Sequence, residues 1–295
     1  MRLRGNLYLL GAAFIWGTTF VSQMTGMEEL GPYGYAAARY VLGFVSVLVI
    51  WYAFRGQRAR ARALGTYVPG WLPGLGSGLL MFVGSTLQQV GMTGTTAGKT
   101  AFITALYIVL VPLGAVFLGR KIRRENWYGA VLATCGLALL SLHGSLAVAW
   151  GDVVVFVCAF FWAAQILFID RFAARVDAIE LSVAQVFVCM VGSVVLAALF
   201  ETVTLPAIAH SWLAIFYGGV MSAGVAFTLQ IFGQKYAEPG PAAIIMSFES
   251  VFGALASWFF LDEVLTAQEL CGCLLMFLGM TVTQAGLFRR RRRAA

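Results

Sequence analysis

The sequence predicts an all-α membrane protein, with ten transmembrane helices forming two inverted five-helix repeats around a central cavity. Apolar residues run in long uncharged blocks, basic residues crowd into every second connection, and the second half of the chain echoes the first. Of the 295 residues 60% are hydrophobic and 11% charged, whereas a soluble domain carries about 25% charged residues. Mean hydropathy is +0.85. Apolar residues at helical spacing would make one sticky face for a soluble core; blocks such as 5–27, 63–98 and 126–151 make helices solvated by lipid all round.

Crossing about 30 Å of hydrocarbon takes about 20 residues at 1.5 Å each, which divides the chain into ten segments. The first, 6–25, follows Arg2 and Arg4. Such a start also suits a secretory signal peptide, but the apolar run reaches Thr25 without a clear small-residue cleavage site, so the helix is expected to be retained. The second, 33–54, carries Arg39 and stops at Arg55. The third, 71–92, contains Gly74, Gly76 and Gly78, which resemble a phosphate-binding loop in composition only, since no strand precedes them. The fourth, 98–118, opens at Gly98-Lys99 and contains Pro112. The fifth and sixth are 126–142 and 150–169; the seventh, 179–200, stops at Glu201, and the eighth is 210–231. The ninth, 240–260, opens at Pro239 and Pro241, which with Pro112 mark kinks or starts and candidate hinges. The tenth, 267–288, runs into Arg289 to Arg293. The five cysteines (Cys135, Cys158, Cys189, Cys271, Cys273) fall inside these segments as small hydrophobes. Neither a disulfide framework nor a metal or cofactor site is called for.

The net charge of +7 raises a nucleic-acid reading, which the placement of the charges opposes. Arg2 and Arg4, Arg55 to Arg62, Arg120 to Arg124, Arg171 and Arg175, Lys235, and Arg289 to Arg293 occupy alternate connections. Of the 20 Lys and Arg residues, only Arg39 and Lys99 fall elsewhere. The intervening loops hold Glu28, Glu29, Glu201, Asp262 and Glu263. By the positive-inside rule both termini are cytoplasmic, which requires an even number of spans in a bacterial inner membrane. The terminal arginine run then reads as an anchor against anionic lipid, not as a DNA-binding tail.

Ala13-Phe14-Ile15-Trp16 is echoed by Ala159-Phe160-Phe161-Trp162, and the same offset carries Arg39 onto Gln185. Thr86-Leu87-Gln88 matches Thr228-Leu229-Gln230, Gly98 matches Gly240, and Phe117-Leu118-Gly119-Arg120 matches Phe260-Leu261-Asp262-Glu263. Similarities in one order at nearly constant offset point to a duplication, with units 1–144 and 145–295. Five spans per unit is odd, so the second unit enters the membrane upside down. Secondary transporters are built this way, with the substrate site at the midplane between units; duplication for a pore or scaffold is the other reading.

The chain resembles the drug/metabolite transporter superfamily, EamA type. The resemblance rests on two five-helix units, Phe14-Ile15-Trp16-Gly17-Thr18-Thr19-Phe20, Arg39, Gly98-Lys99-Thr100-Ala101-Phe102 with Pro112 following, and Leu261-Asp262-Glu263. It covers essentially the whole chain and implies export of amino acids, other metabolites or amphipathic toxicants through a central cavity, the YddG-type amino-acid exporters being the first comparison. Arg120 departs from the pattern, since many members carry Glu there.

Ionisable groups inside a bilayer cost about 3 kcal/mol or more at the centre and are functional candidates. Glu249, Arg39 and Lys99 qualify. Arg39 or Lys99 suits a substrate carboxylate, and Glu249 suits an amine or a coupling proton; mutual pairing, or Lys99 reaching the interface, is the structural alternative. Trp16 and Trp162 occupy equivalent mid-membrane places, where they would stack on a substrate or pack the halves together. Gln88, Gln185 and Gln230 suit a neutral or zwitterionic ligand or interhelical bonding. Tyr107 lies roughly on the side of Lys99 and joins the set. Trp71, Trp127, Trp150 and Trp212 fit an interfacial belt.

The function that follows is a secondary transporter exporting or exchanging amino acids or related metabolites by alternating access. A multidrug or amphipathic-cation exporter of the same fold is the alternative. A membrane-embedded enzyme lacks any His-Glu-x-x-His or Gly-x-Ser-x-Gly constellation, with His143 and His210 both in expected loops, and a channel lacks a filter motif. The partners expected are a small-molecule substrate and membrane lipid, without nucleic acid or cofactor, and the sequence is compatible with a monomer.

Overall fold

The computed structural model describes residues 2–141, 148–260 and 266–294, and among these every regular element is helical. The unit junction at 144/145, His143, and the Leu261-Asp262-Glu263 motif lie outside the described residues. Six stretches are long and apolar enough to cross a membrane: Leu3–Ala53, Lys99–Phe117, Trp150–Phe172, Ala178–Phe200, Trp212–Gln234 and Pro239–Ala256. The protein is therefore a multi-pass membrane protein.

The first helix, α1 (Arg2–Ala53), has 52 residues. Straight, it would measure about 78 Å, more than twice the hydrocarbon thickness. It is broken at Gly31, whose φ of 68° and ψ of 174° leave helical space, and Pro32 follows without an N–H. The chain doubles back here: the Tyr35 ring lies directly against Gly26, although nine residues would separate them by about 13 Å along a straight helix. Glu201 holds the turn by accepting the Tyr33 and Gly34 amide protons at 3.2 and 2.5 Å. Expected segments 6–25 and 33–54 are the two arms.

Then come α2 (Arg55–Ala63) and α3 (Trp71–Met92). The expected continuous helix 98–118 is instead two helices, α4 (Ala97–Thr104) and α5 (Tyr107–Phe117). The chain tightens between them, where Leu106 and Ile108 donate to carbonyls three residues back, as in a 3₁₀ turn. After α6 (Arg124–Ser141), α7 (Trp150–Phe172) and α8 (Ala178–Phe200), the expected segment 210–231 is also interrupted. It comprises α9 (Leu205–His210), α10 (Trp212–Phe216), a π-helix (Tyr217–Ala226) and α11 (Phe227–Gln234). The expected 240–260 helix is α12 (Pro239–Met246) and α13 (Glu249–Phe260), joined by the same tightened turn, with Phe248 and Ser250 donating three residues back. The last helix, α14 (Ala267–Ala294), carries positions 289–293 at its end.

Small residues let these helices touch backbone to backbone, the usual basis of packing in lipid. A Cβ on Gly5 would fall 3.0 Å from the Gly233 carbonyl oxygen, joining α1 to α11, and one on Gly91 would fall 3.0 Å from that of Gly151, joining α3 to α7. Between α6 and α14, Gly129 meets Gly279 and Gly136 meets Gly272. Seven residues forward on α6 is seven backward on α14, so the two helices run antiparallel.

Candidate functional site

A cavity lies among these helices, about 560 Å³ counted out through its open mouth. Of its fifteen lining residues, eight come from before position 144 and seven from after 145. Seven of the nine predicted site residues line it: Trp16, Arg39, Gln88, Tyr107, Trp162, Gln230 and Glu249.

Tyr107 and Glu249 are the first residues after the two tightened turns, and the Tyr107 hydroxyl donates to Glu249 Oε1 at 3.2 Å. Both are buried. Among the described residues this is the only hydrogen bond Glu249 makes, and no cation lies within ion-pair distance of it. Arg39 is likewise buried without a carboxylate. Its Nη2 donates to the Tyr40 hydroxyl at 3.3 Å, its guanidinium stands 4.8 and 5.6 Å from the Tyr40 and Tyr35 ring centres, and its Nε has no partner among the described residues. One cavity thus carries a guanidinium and a carboxyl group, neither paired with an opposite charge among the described residues.

The aromatic wall is built around Phe227. Trp162 stacks on it at 5.9 Å and 13° between planes, and Trp16 meets it at 4.9 Å and 57°. Trp16 Nε1, Trp162 Nε1 and Gln23 Oε1 are buried and make no hydrogen bond among the described residues, leaving two indole donors and one acceptor for a polar guest. Gln88 Nε2 donates to Thr104 Oγ1 at 2.9 Å.

Two predicted residues stand outside the cavity. Lys99 pairs with Asp152, Nζ to Oδ2 at 3.4 Å, beside Thr95, whose hydroxyl donates to the same carboxylate. This ion pair is with Asp152, a residue outside the predicted set. Asp152 also accepts the Ala149 amide at 2.9 Å, so it caps α7 as well. Gln185 is fully buried in a polar knot, where its Oε1 accepts from Ser77 Oγ at 2.8 Å and Gln165 Nε2 at 3.4 Å. Gln230 borders the cavity and bonds Gln165 in both directions, at 3.0 and 3.3 Å. Arg120, at the position that departs from the family pattern, pairs with Asp170 of α7.

Sequence reasoning missed Phe20, Gln23, Tyr40, Thr104, Ile166, Ser222, Phe227 and Met246 in the lining. A signal existed for two: Phe20 and Gln23 follow Trp16 by four and seven residues, on one helical face. Gln165, which ties three helices together, gave none.

The family model of the EamA-like transporter family matches residues 3–142 and 149–284. An uncharacterized transporter of Archaeoglobus fulgidus is 27% identical over 284 residues, covering 95% of this chain and 86% of its own. The uncharacterized transporter YoaV of Bacillus subtilis is 23% identical over 97% of this chain and 98% of its own. The uncharacterized inner membrane transporter YedA of Escherichia coli K12 is 27% identical over 66% of this chain and 65% of its own. A solved crystal structure shares the fold with a TM-score of 0.77 at 20% identity, over 95% of this chain and 98% of that one.

Proposed function

Because the chain belongs to the EamA-like transporter family, we propose that it is a secondary transporter that exports or exchanges amino acids or related small metabolites across the inner membrane by alternating access. The observation that carries this reading is the cavity holding the buried Arg39 and Glu249, each without a counter-charge among the described residues. A buried charge is costly unless a ligand pairs it or, for a carboxylate, a proton neutralises it. A zwitterion answers both at once, its carboxylate on Arg39 and its ammonium on Glu249, with its side chain against Trp16, Trp162 and Phe227.

The architecture we assign is ten spans in two inverted five-helix units, 1–144 and 145–295, with both termini cytoplasmic. Several contacts support it. Shifting Gly5 by 146 residues gives Gly151, and shifting Gly91 by 142 gives Gly233, the offsets of the Trp16 and Gln88 matches. The two pairs that touch, Gly5 with Gly233 and Gly151 with Gly91, are then images of each other, as a two-fold axis requires. Tyr107 and Glu249 are also images, and their hydrogen bond lies where that axis passes. A site on the axis is equally near both membrane faces, which is what alternating access needs. The arginines at 289–293 anchor this end of the chain against anionic lipid, and one chain carries the whole cavity.

The amphipathic-cation reading draws on Glu249 and the aromatic wall, and differs in leaving Arg39 idle. Purified protein in liposomes preloaded with candidate solutes decides: saturable counterflow of amino acids without ATP is expected. Failure of a broad solute panel to exceed empty liposomes, with orientation verified, would remove the transporter reading; flux of cations that never competes with amino acids would favour the alternative.

A further inference from the structure

Under the two-fold relation proposed above, on which this inference rests, the two units are bonded differently at three matched positions, two of which also differ in residue type. Gln165 and Thr19 each follow a cavity tryptophan by three residues. Gln185 and Arg39 each lie eight residues past the turn residue that opens their helix arm, Asp177 and Gly31. Gln230 and Gln88 each lie four residues before the end of their helix, at Gln234 and Met92.

The first set is engaged. Gln165 bonds Gln185 at 3.4 Å and Gln230 at 3.0 and 3.3 Å, and all three are buried. The second set is disengaged. Thr19 turns back on the Ile15 carbonyl at 2.6 Å, Gln88 bonds Thr104, and Arg39 meets Tyr40 and the Tyr35 ring. Among the described residues no member of the second set bonds another, and Arg39 and Gln88 face the cavity.

We propose that these are the two gates: Gln165, Gln185 and Gln230 form a glutamine clasp that seals the cavity toward the chain termini, and Thr19, Arg39 and Gln88 close as its counterpart toward the Gly31 turn when the clasp opens. In an inverted-repeat carrier the second state arises when the units exchange conformations around a fixed site, so the engaged set shows what the other will form. Amide hydrogen bonds suit this task. Each is weak enough in a membrane to be exchanged, whereas an ion pair stripped of water would resist opening. The substitution of arginine for glutamine at one corner of the second set is not neutral, because it lets that gate sense an anionic group on the bound solute. A carboxylate seated on Arg39 brings the gate residue and its trigger into one contact, and closure follows loading.

The test uses the full chain with its five cysteines replaced by alanine, and two introduced pairs, Gln165→Cys with Gln230→Cys and Thr19→Cys with Gln88→Cys, captured by a short bifunctional thiol reagent. The clasp pair should be captured readily in the resting protein. The Thr19/Gln88 pair should be captured slowly, and about fivefold faster or more when Gln185→Ala or the bulkier Gln185→Leu loosens the clasp. A four-cysteine protein with Gln185 left in place gives a second route, in which each crosslink stands in for the side-chain bonds its cysteines replace: prior capture of either pair should suppress capture of the other about fivefold. Equal capture rates with clasp intact or loosened, or both pairs captured on one molecule, overturn the proposal. Capture needs no transport, so the two readings separate. Mutual exclusion without flux in liposomes removes the transporter reading, and flux without mutual exclusion removes the gates.

Discussion

Replacing Arg39 with glutamine separates the zwitterion site from a merely apolar pocket. Arg39 has no acidic partner among the described residues, so its removal leaves no buried carboxylate stranded. The fold loses only the guanidinium contacts with Tyr40 at 4.8 Å and Tyr35 at 5.6 Å, worth about 0.5–2 kcal/mol, and one long hydrogen bond to Tyr40. Glutamine keeps a donor in roughly that place, so the variant should fold. For a substrate, the loss is a charge-assisted contact to its carboxylate, about 1.5–3 kcal/mol, or roughly 10- to 150-fold in Kd. Titration followed by tryptophan fluorescence reads binding, because Trp16 and Trp162 line the cavity. An amino acid should weaken by that factor, while its decarboxylated amine stays within about threefold, having no contact to lose. Equal weakening of both ligands, or of neither, would refute the pairing of Arg39 with a carboxylate.

Glu249→Gln tests the other pole: it retains the Tyr107 contact but not the charge, and should weaken amine-bearing substrates about tenfold or more in counterflow while a deaminated carboxylate is spared. Gly233→Leu places a side chain against the Gly5 carbonyl and should cost about 1–3 kcal/mol in detergent unfolding; Gly91→Leu, at the matching contact, should cost a similar amount, and a large disparity speaks against the two-fold relation. Tyr67, in the connection between α2 and α3, has its hydroxyl pKa raised above 10.0, first by burial and then by the Glu180 carboxylate that accepts its proton at 2.5 Å, against the lowering effect of Arg62. A raised value means that the folded state holds this proton more tightly, so the stabilisation is complete below about pH 10 and disappears as pH climbs through the raised value. Tyr67→Phe should remove that alkaline component, and superimposable alkaline unfolding curves for both proteins would contradict it.

The helices were legible because lipid permits few alternatives: a long uncharged run has to be a helix. Their interruptions were not. Ala105-Leu106 and Ser247-Phe248 contain neither glycine nor proline, so nothing local marks the tightened turns, and the π-helix showed only as glycine-rich sequence at Gly218, Gly219 and Gly224. Among candidate residues, Trp16, Arg39 and Glu249 stood out because such groups are rare at mid-membrane. Lys99 stood out for the same reason, yet its partner Asp152 lies 53 residues away at the start of another helix, and no spacing rule joins them. Gln185 matched Arg39 by offset, yet their surroundings differ, since Arg39 faces a cavity and Gln185 a knot of amides. Gln165 became visible only once α3, α7, α8 and α11 were assembled around it.

The glycine contacts also govern how such a molecule can move. Where Gly5 meets Gly233 and Gly91 meets Gly151, main chain approaches main chain, with Tyr236 and Leu9 packed beside the first pair and Val155 beside the second, so few side chains oppose the rolling or slipping of one helix on its neighbour. These contacts act as bearings, one near each end of the bundle, and the sliding they permit is shear. A larger residue there would do more than crowd the interface: it would install a tooth, and the pair would then move in steps of one helical turn or not at all.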